Sequence, residues 1–272
     1  MPNSRFQRWK VCSLICCSRH TSRIIIQGFV LNGPGQTDVI VRGVGPGLED
    51  RGVSNFLTNP RIEVYNSLGF LTSNEAWGSN TNLDLLRDEM SRVGAFALDE
   101  GSDDAALLLS LDPGLYTVQL KGVDGETGVG LIELYDADAE NRVNLANLSS
   151  RNLVGTGEEQ LILGFVVSGE VPKKVLIRAS GPALESLGVS NFLADPMLTV
   201  FSGQTPIATN DNWEDNPNDI AALSGEAGTE AYPAGSKDAA VVLWLEPGIY
   251  AALVSGVDES TGIGLVEVFE LE

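Results

Sequence analysis

With 37 acidic against 17 basic side chains in 272 residues, the chain carries a formal net charge of -20. That charge repels nucleic acid and anionic membrane surfaces and excludes both as partners. A hydrophobic content of 43% is that of a folded protein, the length accommodates two ordinary domains, and no stretch reaches the roughly 18 apolar residues that span a bilayer.

The first residues stand apart from the rest. Residues 1–24 hold five Lys/Arg, no acid, the sole histidine His20, and all three cysteines, Cys12, Cys16 and Cys17. Their spacing matches no zinc pattern, and residues 25–272, which lack cysteine, can form no disulfide of their own. A basic start and the short apolar run 11–17 resemble a secretion signal, but no small-residue cleavage site comes after it. The expectation is an atypical segment over 1–23, a truncated or misassigned start within a longer exported protein.

Residues 24–31 and 38–42 are β-rich runs parted by the turn cluster Asn32, Gly33, Pro34 and Gly35. Residues 61–65 alternate, with Ile62 and Val64 on one face, and 70–73 return across a Gly-containing turn as a hairpin. Leu83, Leu86, Met90 and Val93 recur at helical spacing behind a capping box of Thr81 and Asp84, which predicts one short helix. Residues 105–111 are apolar on both faces. Residues 113–135, PGLYTVQLKGVDGETGVGLIELY, read as strand, Gly/Asp turn and strand, a closing hairpin.

The whole series then repeats. At an offset of 136, twenty of the fifty positions 28–77 are identical to 164–213, including GVSNFL at 52–57 and 188–193. Beyond a loop two residues shorter the offset is 134, which carries Tyr116 onto Tyr250 and Gly128 onto Gly262. In the second copy Asn216 and Pro217 mark the helix start and Gly225 its stop. A period above 100 residues is one domain, not a solenoid repeat. The expected fold class is therefore all-β: two tandem β-sandwich, jelly-roll-like domains over 24–136 and 137–272, each with one short helix in a loop. Residues 143–160 lead into the second copy without a counterpart before the first. Either the first copy lacks its opening strand and offers a bare sheet edge to another chain or to a preceding domain, or residues 1–24 supply an unrelated strand, for which 23–26 is adequate.

These motifs, with ATNDNW at 208–213, LxPGxY and SGVDxxTGxGLVEV, resemble repeats of large exported proteins of environmental bacteria. They are more distantly similar to the bacterial pre-peptidase C-terminal domain. The resemblance implies a non-catalytic extracellular or cell-surface β-sandwich, an accessory module beside other domains. SNEAW at 73–77 in place of TNDNW at 209–213 sets the first copy apart.

Candidate chemistry gathers in that loop. Asn210, Asp211, Asn212, Asp215, Asn216, Asp219 and Asp238 supply hard oxygens of the kind calcium selects, and Asn74, Glu75, Asn80, Asp84 and Asp104 form a thinner set in the first copy. The competing reading is that Asn and Asp cap the helix and fill turns. Trp77 and Trp213, beside the loop, either anchor a sandwich corner or stack on a sugar of a polysaccharide. Trp244 reads as core. Arg42 and Arg178 each precede a glutamate, Glu49 and Glu185, by seven residues and are read as halves of structural ion pairs. Gly43, Gly45 and Gly47 imitate a phosphate loop, but alanines replace the outer two in the second copy, leaving a turn. With His20 outside both copies, no hydrolytic triad can be assembled in them, and no enzymatic activity is expected. The expected roles are structural or adhesive, calcium-stabilised or associating through a sheet edge, or else carbohydrate binding.

Overall fold

The computed structural model describes residues 24–138, 144–157 and 159–271 and a strand over 9–13; for 9–13 and 144 the backbone alone is described. Cys16, Cys17 and His20 lie outside the described residues. The first copy contributes β1 (Trp9–Ser13), β2 (Ile24–Asn32), β3 (Thr37–Val44), β4 (Pro60–Asn66), β5 (Gly69–Asn74), β6 (Ala105–Leu111), β7 (Gly114–Gly122) and β8 (Leu131–Asp136). The second contributes β9 (Asn144–Val154), β10 (Leu161–Val167), β11 (Lys173–Ser180), β12 (Pro196–Ser202), β13 (Thr205–Asn210), β14 (Ala239–Leu245), β15 (Gly248–Gly256) and β16 (Gly262–Leu271). Helix α1 (Leu83–Arg92) and helix α2 (Ile220–Glu226) occupy the expected loops.

All pairing of named strands is antiparallel, and period-two alternation decides which side chains face inward. The burial of β10 alternates strictly along Leu161–Val167, with Leu161, Leu163, Phe165 and Val167 inside. Except at the β4–β5 and β12–β13 hairpins, every connection carries the chain from one sheet to the other. Each copy consequently has the order β1-β8-β3-β6 facing β2-β7-β4-β5, or its equivalent, which is a jelly roll. The expected all-β sandwich class is what the structure shows.

The stretches 113–135 and 247–269 are not hairpins. Their strands β7 and β8, like β15 and β16, lie in opposite sheets, so the turn is an arch over the sandwich edge. Asp124 and Asp258 bend it with φ of 53° and 52°. A Cβ on Gly128 would fall 2.7 Å from the backbone of Phe56 and Leu57, because the arch lies against the GVSNFL segment and bridges it through Phe56 and Val129. Local composition could not separate arch from hairpin, since both need the same turn residues.

The copies are joined edge to edge. Strand β1 pairs with β8 on one side and β10 on the other, and β2 pairs with β7 and β9. Two continuous eight-stranded sheets result, related across the seam by an exchange of roles: the β9 side of the second copy extends the β2 side of the first. Residues 9–13 stand where β9 stands in the second copy, so residues 1–24 do supply the unrelated opening strand, at 9–13 rather than at 23–26. The bare-edge alternative does not hold, since β1 pairs on both sides, and residues 24–26 belong to the next strand, β2.

One apolar core runs between the sheets through both copies, including Ile25, Phe29, Val41 and Ile132 with Leu163, Phe165, Ile177 and Val268. Phe29 stacks on Tyr116 with centroids 5.2 Å apart, and Phe165 on Tyr250 at 5.7 Å. Smaller apolar layers cover the outer faces: Leu86, Met90 and Val93 under α1 close over Ile40 and Ala106, and Ile220 and Tyr232 beside α2 close over Leu176 and Ala240. This explains the doubly apolar strands β6 and β14. The cover ends short of Trp244, which is 70% exposed on the outer strand β14 rather than in the core. The helix caps also differ from expectation. Asn82 precedes α1 without a side-chain cap, whereas Asp219 caps α2 by accepting from Ala222 N at 3.0 Å, and Gly225 lies inside α2.

Near the seam the core contains one misfit. Gln27, fully buried on β2, has both amide atoms without a hydrogen-bond partner, where the second copy has Leu163. Burying an unpaired amide costs about 1–3 kcal/mol. The Gln27→Leu variant is expected to gain stability of about that size, read as a higher urea midpoint at unchanged slope.

Candidate functional site

In both copies the Asn/Asp loop is a staple between the two sheets. Asn74, ending β5, accepts from Ala106 N at 3.0 Å on β6 and donates to Ala76 O at 3.1 Å. Asn210 repeats this on Ala240 N at 2.9 Å and Asn212 O at 2.9 Å. Asn80 donates to Trp77 O and Ala106 O, and Asn216 donates to Ala240 O at 3.2 Å. These strands lie in opposite sheets, so each amide spans the open end of the sandwich.

Asp104 and Asp238 complete the arrangement from within. Each is fully buried. The Asp104 carboxylate accepts from Gly45 N at 2.8 Å, Gly47 N at 3.1 Å and Ser102 Oγ at 2.8 Å, while its carbonyl accepts from Trp77 N at 2.7 Å. Asp238 accepts from Gly181 N at 2.7 Å and Ala183 N at 3.2 Å, and its carbonyl from Trp213 N at 2.8 Å. The glycine turn that imitates a phosphate loop is thus an anion nest, filled by the chain's own carboxylate. A Cβ at Gly45 or Gly181 would lie 2.0 Å from Leu57 O or Leu193 O, so only glycine fits there.

These bonds bear directly on the calcium set. Of the second-copy donors, Asn210, Asn216, Asp219 and Asp238 already hold backbone groups, and Asp238 points into the nest of Gly181 and Ala183. Asn212 serves through its carbonyl. The side chains of Asp211, Asn212 and Asp215 take no hydrogen bond within the described residues, and these three groups by themselves fall short of the six to eight oxygens calcium takes. In the first copy Asn74, Asn80 and Asp104 are engaged in the same way, Glu75 pairs with Arg61, and Asp84 pairs with Arg87 at 2.8 Å. Among the described residues no three His, Cys, Asp or Glu side chains come together as a metal requires.

The tryptophans pack. Trp77 is 2% exposed and donates Nε1 to Asp99 O at 3.1 Å, so no ring face is left for a sugar. Trp213 is half-buried, donates to Ser236 Oγ at 3.2 Å and lies 6.2 Å from the Tyr232 ring. The corner-anchor reading is the one this geometry matches.

The arginine ion pairs exist, but with other partners. Register places Arg42 on β3 directly beside Glu133 on β8, and Arg178 on β11 beside Glu267 on β16. Arg42 Nε lies 3.1 Å from Glu133 Oε2, both buried, and Tyr135 donates to Glu133 Oε1 at 2.8 Å. Glu49 and Glu185 instead sit in the 3-10 turns Pro46–Arg51 and Pro182–Leu187. Glu133 and Glu267 do face outward from their sheet, as the alternation implies, but the outer layer buries Glu133 and leaves Glu267 partly exposed.

A charged network marks the open face of β4 and β7. Glu63 holds Lys121 Nζ at 2.7 Å, Arg61 Nε at 2.8 Å and Tyr65 hydroxyl at 2.7 Å. Chiefly through Lys121, then Tyr65 and Arg61, its carboxyl is held below the usual range against the opposing effect of burial. The equivalent positions in the second copy are Thr199, Ser255, Met197 and Phe201, so the network belongs to the first copy alone.

No protein-family model matches the chain, and no curated protein does so either. Among solved structures, the tandem CBM51 modules of the family 98 glycoside hydrolase from Streptococcus pneumoniae align with a TM-score of 0.27 and 8% identity, covering 96% of this chain and 88% of that one. A DUF4785 family protein from Legionella pneumophila aligns with a TM-score of 0.20 and 7% identity, covering 100% and 89%. Likenesses at these scores do not bear on function.

Removing the nest carboxylate orphans buried N–H groups. Asp238→Ala and Asp104→Ala are each expected to lose about 3 kcal/mol in urea unfolding, with the asparagine variants in between. For Glu63, a lowered folded-state pKa means stability that is present above the ordinary glutamate range and lost as pH falls through the lowered value. Urea midpoints taken from pH 7 down to pH 3 are therefore expected to fall less steeply in Glu63→Gln than in the wild type.

Proposed function

We propose that this chain is a non-catalytic structural module of the bacterial cell exterior, a stiff double sandwich that carries or spaces other domains of a larger exported protein. The observation that supports this reading is the seam: the copies share two sheets and one core, which resists hinging between them. An adhesive role would use the outer faces or the outer edges β5, β6, β13 and β14, because the inner edges are paired within the chain. The Asn/Asp loop acts as a staple in this reading, and calcium stabilisation would require those hydrogen bonds to be displaced. No helix among the described residues is long and apolar enough to cross a membrane.

A stiff module unfolds as one unit. Urea unfolding followed by tryptophan fluorescence and by far-ultraviolet circular dichroism is expected to give one coincident transition, with the same midpoint in excess chelator and in millimolar calcium. Two separated transitions would overturn the spacer reading, and a midpoint raised by calcium would restore a metal to the loop.

A further inference from the structure

We infer that the second copy holds a binding pocket for a neutral polyhydroxyl ring, the size of a single sugar residue, above Arg178 and Glu267. This goes beyond the structural role and relocates carbohydrate recognition from the Asn/Asp loop to the outer face of β11 and β16.

The first copy shows the same place closed. Phe96 lies between two guanidinium groups, with Arg42 4.2 Å and Arg51 3.4 Å from its ring centroid, and Arg42 also donates to Phe96 O at 2.8 Å. Beneath this stack the Arg42 and Glu133 pair is sealed from solvent, and Tyr135 donates to Glu133 Oε1. Three substitutions between the copies undo the seal. Phe96 becomes Glu230, Arg51 becomes Leu187, and Tyr135 becomes Phe269, which has no hydroxyl to give.

The result is a cavity of about 360 Å3, within the roughly 300–1,000 Å3 range of small-molecule sites. Arg178 and Glu267 form its floor, now 3.7 Å apart at closest approach rather than 3.1 Å. Arg178 stays fixed because it stacks on Tyr232 at 4.0 Å and donates to Thr229 Oγ1 at 2.8 Å. Its Nε is buried without a hydrogen-bond acceptor, as the Nε of Arg42 is beneath the seal, but here the group borders open space. Burial pushes that carboxyl above the ordinary glutamate range, and Arg178 offsets the effect only in part. A buried donor, Arg178, and a partly exposed acceptor, Glu267, therefore line one cavity.

The lining selects the ligand class. Glu267 and Glu230 disfavour an anion, Arg178 disfavours an amine or a metal ion, and Leu184, Leu187 and Leu265 supply an apolar wall. Neighbouring hydroxyls of a sugar ring can donate to Glu267 and accept from Arg178, while the ring's C–H face lies on the leucines. A second recess of about 270 Å3, lined by Gly28, Thr117, Gln119, Ser149 and Arg151, adjoins across Leu187 and Leu265. It gives a longer chain a path over the seam.

The test uses the full chain labelled with nitrogen-15 and a panel of methyl glycosides of glucose, galactose, mannose, xylose and N-acetylglucosamine at tens of millimolar. At least one glycoside is expected to shift the amides of Thr229, Glu230, Ala231 and Leu187 while the first-copy counterparts Ala95, Phe96, Ala97 and Arg51 stay in place. The double variant Leu187→Arg and Glu230→Phe rebuilds the first-copy seal from two exposed positions, and it is expected to fold normally and to weaken the response at least tenfold. Glu267→Gln is expected to weaken it as well. The inference is overturned if no glycoside moves those amides, if the double variant responds like wild type, or if acetate or methylammonium produces an equal response.

Discussion

Each copy of this protein depends on one buried carboxylate. Asp104 and Asp238 sit at the entry to β6 and β14, where the side chain fills a nest of backbone N–H groups and the carbonyl receives the tryptophan amide of the facing loop. One residue thus ties the turn after β3 or β11 to the loop after β5 or β13, four segments that have no strand pairing to hold them. The nest cannot take water or a solute anion in its place, since the carboxylate is covalently delivered and fully buried. Around it the amide staples of Asn74 and Asn210 bridge the sheets, and the indoles pack over the join. The shared geometry of the loop in both copies results from this bracing task.

The second constraint is the seam. A jelly roll places its first two strands at the same end of the sandwich, one in each sheet, so two copies can meet there by pairing each first strand with the other's second. Main-chain hydrogen bonds across β1 and β10 and across β2 and β9 then leave no inner edge exposed. The resulting shared core binds the copies more tightly than a linker could, at the cost of the polar misfit at Gln27.

Where the copies differ, the difference is graded by distance from these braces. The backbone N–H bonds to Asp104 and Asp238 and the bonds of Asn74 and Asn210 to the facing strand agree to within a few tenths of an ångström. The outer layer has drifted: the apolar cover is smaller over the second copy, a charged network occupies one open face alone, and the Arg/Glu pair is sealed in one copy and open in the other. A duplicated scaffold permits this, because the outer layer can change without disturbing the core between the sheets.

Composition and repetition by themselves determined the fold class, the duplication, most strand positions and the two helices, because alternation and turn residues are local signals. GVSNFL and the Gly/Asp arches were recognisable as fixed elements for the same reason. Partners distant in the chain were not legible. Arg42 looked nearest to Glu49 and pairs with Glu133, Trp244 looked like core and is exposed, and the arches looked like hairpins, since sequence separation says nothing about which sheet a strand joins. The Asn/Asp set looked like ligands because oxygen donors in a row have the same composition whether they hold calcium or backbone amides. Only the tertiary structure decided that Asn74, Asn210, Asp104, Asp219 and Asp238 hold backbone amides, that the opening strand lies at 9–13, and that a pocket stands over the Arg178 and Glu267 pair. Each of those outcomes depends on packing between residues far apart in the chain, a separation over which local preferences carry no information.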